Sequence, residues 1–143
     1  MGEEEIRVMT STPRSFFVRA VIVLNGLNYL FVGLALIFAP RWFFDTIGNF
    51  PPFNRHYSGD LGTFLLPLGI GLLWAARDPA RHLGLIGVAL AGGWLHVLNH
   101  LSDDLTAPAL SPQFFSNTLP LFALAVLFSA AYASLLRQRI ASK

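Results

Sequence analysis

Gly59–Ala76, GDLGTFLLPLGIGLLWAA, and Leu83–Leu101, LGLIGVALAGGWLHVLNHL, are joined by the turn Arg77-Asp78-Pro79-Ala80-Arg81-His82. Each run approaches the about 20 apolar residues needed to cross a ~30 Å hydrocarbon core. A soluble amphipathic helix would carry a charged stripe down one side. Here Asp60 is the only formally charged residue in either run, and His96, Asn99 and His100 gather at the far end of the second. So short a turn makes the two spans antiparallel neighbours. Working outward, Phe16–Ala39 is a third span, interrupted by Asn25, Asn28 and Tyr29. Thr118–Leu136 is a fourth, polar inside only at Ser129, Tyr132 and Ser134. The expected fold is all-α: an integral membrane four-helix bundle forming a single domain over 1–143.

Composition agrees. The chain is 54% hydrophobic and 13% charged, with mean hydropathy +0.55, so its solvent is the lipid bilayer. That excludes a secreted globular domain and a disordered segment. A net charge of +2 spread along the chain gives no basic face for nucleic acid. With no cysteine there is no disulfide scaffold, thiol nucleophile, cysteine zinc site or quinone-linked disulfide chemistry.

The cationic residues orient the spans. Arg7, Arg14, Arg19, Arg77, Arg81, Arg137, Arg139 and Lys143 flank one set of ends; Arg41 and Arg55 flank the other. The rule that cytoplasmic flanks are the positive ones puts both termini inside and the connections 40–58 and 102–117 outside. Glu3, Glu4 and Glu5, followed by a long first apolar run, do not read as a cleavable signal peptide.

Arg41–Phe50 carries Trp42, Phe43, Phe44 and Phe50 around Asp45. Such a segment suits the headgroup level, as a short surface helix lying like a lid with Asp45 facing water or the site. Ala107–Gln113, with two prolines, is expected to be extended. Pro67 should bend its helix. The glycines inside the spans either permit close helix approach or reflect how common glycine is in membrane helices. Close approach would also suit a homo-oligomer or a larger membrane complex.

Depth singles out one cluster. Counted from Pro79 at about 1.5 Å per residue, His56, Asp60, His96, His100 and Asp104 all lie roughly 26–38 Å away, at the outer end of one hairpin. His56 and Asp60 are four apart, as are His96 and His100, so each pair shares a helix face. Facing pairs on adjacent helices would give one metal ion three nitrogens and an oxygen from His56, Asp60, His96 and His100, with Asn99 and Asp104 behind them. Imidazole with carboxylate favours Zn, Fe or Mn over thiolate-seeking Cu(I), and haem between two histidines is a subordinate version. A hydrogen-bond network pinning the hairpin, or an acid/base site without metal, would use the same residues.

Other polar positions read more plainly. His82 is a solvated interface histidine, and Trp42, Trp74 and Trp94 are interface or packing residues. Asn25 and Asn28 bond between helices, or continue a polar lining inward. There is no phosphate-binding glycine loop, no Gly-x-Ser-x-Gly elbow and no His-Glu-x-x-His motif.

Three stretches carry a resemblance: Pro40-Arg41-Trp42-Phe43-Phe44-Asp45, then Pro52-Phe53-Asn54-Arg55-His56-Tyr57-Ser58-Gly59-Asp60-Leu61-Gly62, then His96-Val97-Leu98-Asn99-His100. Over Ala39–Asp104 the chain resembles a family of small bacterial four-helix integral membrane proteins of unassigned activity. Pro51-Pro52 stands where that pattern has Gly-Pro. The resemblance implies the four-helix fold and a bacterial inner-membrane location, directs attention to His56, Asp60, His96 and His100, and brings no chemistry. Three functional classes follow from the sequence: a metal-binding membrane protein whose reaction is unassigned, a non-catalytic accessory subunit of a membrane complex, and a carrier for a small solute or proton.

Overall fold

A computed structural model describes residues 13–48, 51–107, 112 and 114–141. Among these residues five α-helices form: α1 (Pro13–Phe38), α2 (Pro40–Thr46), α3 (Arg55–Ala75), α4 (Leu83–Thr106) and α5 (Leu119–Ala141). A 3-10 turn, Pro79–His82, leads into α4, and a π-helical turn, Phe114–Thr118, leads into α5. No strand occurs among the described residues. Four helical stretches are long and apolar enough to cross a membrane: Ser15–Phe38, Arg55–Ala75, Pro79–Thr106 and Phe114–Ala141. The chain is therefore an all-helical integral membrane protein. The last three stretches run several residues past the expected spans at the ends far from the turn, which puts His56 and Asp104 on helices.

Local sequence explains the helix limits. Asn54 caps α3, its side-chain oxygen accepting from the backbone N–H of His56 at 3.0 Å and of Tyr57 at 3.2 Å. Pro40 opens α2, where its missing N–H costs nothing. Pro67 lies within α3 on an exposed side, and the helix continues through it.

Glycines set the packing of α1 on α3. A Cβ at Gly33 would lie 2.7 Å from the Leu66 backbone nitrogen, and one at Gly69 would lie 2.5 Å from that of Leu30. At Gly62 it would meet the Gly33 carbonyl oxygen at 2.9 Å. These three are contact glycines, and close approach is their role. Gly59, Gly84 and Gly92 face open space instead.

α4 pairs with α5. Trp94 Nε1 donates to Ser129 Oγ at 3.0 Å, and that hydroxyl donates to the Ala125 carbonyl at 2.8 Å. The Trp94 ring also meets Phe122 edge-on at 5.7 Å. The two helix pairs join through one buried cluster that includes Val18, Ile22, Leu72, Ala75, Ile86, Ala89, Phe128 and Ala131. Its members on α3 and α4 lie in the turns nearest the Pro79 turn, so the core is concentrated at that end of the bundle.

This arrangement narrows the expected adjacency of the second and third spans. α3 and α4 meet close to their turn, where a Cβ at Gly71 would lie 3.1 Å from Leu85. Beyond that point α3 follows α1 and α4 follows α5. A short turn dictates antiparallel neighbours at the turn; the glycine contacts decide who the neighbours are further out.

Candidate functional site

At the end of the bundle away from the Pro79 turn, the sequence-selected residues fall into two separate pairs. On α3, His56 Nε2 lies 3.4 Å from Asp60 Oδ2, with the two side chains 81% and 57% exposed. On α4, His96 Nε2 and His100 Nε2 are 3.0 Å apart, so one ring N–H donates to the bare nitrogen of the other. Among the described residues no three His, Asp or Glu side chains come together as a metal-holding group. The four-ligand centre of His56, Asp60, His96 and His100 is thus not assembled within one chain.

Helix phase is the reason. His56, Asp60, Thr63, Pro67, Ile70 and Trp74 follow each other at three- and four-residue steps, and all are exposed. Gly62, Gly69, Leu72 and Ala75, on the other side of α3, are buried. The His56–Asp60 pair therefore points out of the bundle. On α4 the row is Ile86, Ala89, Gly93, His96 and His100, again at three- and four-residue steps. Ile86 and Ala89 are fully buried, and a Cβ at Gly93 would lie 3.5 Å from Tyr29 Oη of α1. The His96–His100 pair continues this row, which deeper in meets Tyr29 of α1, and His96 itself is exposed.

The supporting residues divide differently from expectation. Asp104 accepts a 2.6 Å hydrogen bond from Thr118 Oγ1, which ties the end of α4 to the turn before α5. Asn99 is exposed. Asn25 is buried and donates to the Val21 carbonyl of its own helix at 2.9 Å, so its amide is used locally. Tyr29 Oη, which drew no role from the sequence, reaches the Ala89 carbonyl of α4 at 3.4 Å. The buried Thr118 was missed as well; a lone hydroxyl at a span boundary opposite a lone aspartate is the signal that could have paired it with Asp104.

A short helix does follow the first span, over Pro40–Thr46. Asp45 is exposed, and it accepts from Arg41 Nε at 2.8 Å. That bond and charge raise the Arg41 pKa above its ordinary value. The Arg41 guanidinium also sits over the Phe44 and Phe53 rings, 5.8 and 5.4 Å from their centroids. Trp42 packs edge-on against Phe31 at 6.3 Å. Beyond α2, the Ile47 carbonyl accepts from Asn117 Nδ2 at 3.3 Å, which straps this segment to the start of the last span. Asn49 and Phe50 lie outside the described residues, as does most of 107–113, whose Ala107 has extended backbone.

His82 is more than a solvated boundary residue. Its Nδ1 lies 2.9 Å from the Asp78 carbonyl, and its ring meets Trp74 at 4.3 Å. Both contacts fix the turn at the opposite end of the bundle.

Compared with known protein families, curated proteins and solved structures, the chain matches none. The site's own chemistry must carry the functional reading.

Proposed function

We propose that this is a four-span protein of the bacterial inner membrane, with both termini cytoplasmic, that binds a divalent transition metal at its outer face through His96 and His100. The observation that carries the reading is the convergence of two imidazole nitrogens to 3.0 Å on one helix. With metal–nitrogen bonds of about 2.1 Å, that separation subtends roughly 90° at a metal. A right angle is the cis relation of an octahedral ion, so imidazole-tolerant Fe or Mn fits this pair better than tetrahedral Zn. Two protein ligands leave the remaining positions to water or a small ligand. This is a binding function, and no reaction is attached to it.

Gently purified protein should carry about one exchangeable metal ion per pair of nitrogens. His96→Ala and His100→Ala should each abolish that binding, and His56→Ala should leave it intact. A wild-type protein that takes up neither Fe nor Mn, or Fe or Mn uptake that survives both α4 substitutions, would sink the assignment.

The orientation rests on the eight-to-two distribution of cationic residues between the two sets of ends. The chain has no cysteine, so single introduced thiols report it cleanly. Ser116→Cys should react with an impermeant reagent added outside intact cells, and Ala141→Cys only after the cells are opened. The reverse pattern refutes the orientation.

A second reading, a non-catalytic subunit of a membrane complex, draws support from the polar groups of Asn25, Tyr29, Trp94 and Asp104. All four bond within the bundle. A stable co-purifying protein together with a metal-free His96–His100 pair would favour it.

A further inference from the structure

We propose that His56 and Asp60 form half of a second metal site, completed by His56 and Asp60 of the partner subunit in a symmetric dimer.

Geometry comes first. The His56 Nε2 to Asp60 Oδ2 separation of 3.4 Å, wider than that of the α4 pair, subtends about 110° at a metal with ~2.1 Å bonds. That is the tetrahedral angle. One imidazole and one carboxylate fill two of four tetrahedral positions, and no third ligand of the same chain joins them among the described residues. The pair also points the wrong way to be completed internally, since it shares its exposed row with Thr63, Pro67, Ile70 and Trp74.

Membrane geometry then selects the occupant. Copies of one chain share one orientation in a bilayer, so a two-fold axis relating them runs along the membrane normal. Such an axis brings each residue opposite its own counterpart at the same depth. A clip at the start of α3 therefore meets an identical clip, and two half-sites make one closed set of two nitrogens and two oxygens. Closed four-coordinate sets of this kind are the structural type for zinc. The α3 surface permits the approach, because a Cβ added at Gly59, beside the clip, meets nothing within 4 Å. Small residues at such a point let two membrane helices come close. An aspartate on the outward side of a membrane helix thereby gains a second charge partner beside the His56 of its own chain.

The test uses the full chain in detergent carrying His100→Ala, so that the α4 pair cannot contribute. Zinc added to this protein should bind at about one ion per two chains and convert monomer to dimer by sedimentation. A chelator should reverse both. Asp60→Asn and His56→Gln should each abolish the zinc-dependent dimer, because the axis duplicates every substitution and removes two ligands of four. Both side chains are exposed, so neither change should prevent folding, and circular dichroism confirms that the helices persist. Zinc bound to a monomer overturns the proposal. So does a dimer indifferent to chelator and to His56→Gln, or zinc-protein particles that contain lipid or another protein in place of the second copy. The assignment to His96 and His100 stands or falls separately, since that pair is absent from the protein tested.

Discussion

Gly69→Leu is expected to separate α3 from α1 and to leave little correctly assembled protein. Even a single methyl at this position would lie 2.5 Å from the Leu30 backbone nitrogen and 2.9 Å from the Gly26 carbonyl oxygen and the Leu30 Cα. Backbone atoms cannot swing aside as a side chain does, so the helices themselves must move. Overpacking of a tight interior typically costs about 1–3 kcal/mol, and Gly69→Ala should fall in that range. Leucine adds three more carbons to the same gap. The cost spreads along the pair, because Gly33 and Gly62 hold the two backbones together a turn or two away. The control is Gly92→Ala, where the added methyl meets nothing within 4 Å. Thermal unfolding in detergent should show a large loss for Gly69→Ala and almost none for Gly92→Ala. Equal losses would mean that helix flexibility, rather than contact, sets the role of these glycines.

The same glycines separate what is legible in the sequence from what is not. Span count and span depth came from run length and charge, because the bilayer enforces both on the chain directly. Depth alone then brought His56, Asp60, His96 and His100 to one level. It says nothing about azimuth, and a metal needs both. Inside an apolar span no polar stripe marks the buried side, so the usual sign of helix phase is missing. A weaker sign was present: Gly62 and Gly69, seven residues apart, share one side of α3, and Asp60 lies about 200° around the helix from Gly62 at 3.6 residues per turn. With the glycines on the packed side, Asp60 falls outside the bundle. The α4 pair escapes this difficulty only because both histidines follow Ile86 and Ala89 in the same row. Pairing between elements was harder still. Nothing local in Trp94 or Ser129 states that they bond across 35 positions, nor in Asp104 that Thr118 will satisfy it. The helix ends were legible in chemistry though not in extent: Asn54 is an ordinary N-cap, and it starts α3 one turn earlier than hydrophobicity alone does.

Phe128→Ala should be the most damaging large-to-small change in the core, yet milder than its counterpart in a water-soluble protein. Phe128 is 1% exposed and belongs to the cluster that joins α1 and α3 to α4 and α5. In water such a truncation typically costs about 3–5 kcal/mol, the sum of lost transfer energy and a cavity. Here the transfer part nearly vanishes, because lipid tails are as apolar as the core. What remains is the cavity, on the order of 100 Å³ at ~24 cal/mol per Å³, or about 2 kcal/mol. The loss is one of dispersion contacts on a side chain that no lipid can reach. Ala125 and Ala131, three residues to either side on the same helix, are too small to fill the space, and Ile22, Leu72 and Ile86 of the cluster belong to three different helices. The two helix pairs should therefore loosen at the end where the core lies. Phe64→Ala is the matched control: Phe64 is 74% exposed on α3, and lipid replaces its contacts at no cost. Reversible unfolding should give about 2 kcal/mol for Phe128→Ala and near zero for Phe64→Ala. A loss of similar size for both would mean that the cluster around Phe128 is not the joint between the pairs.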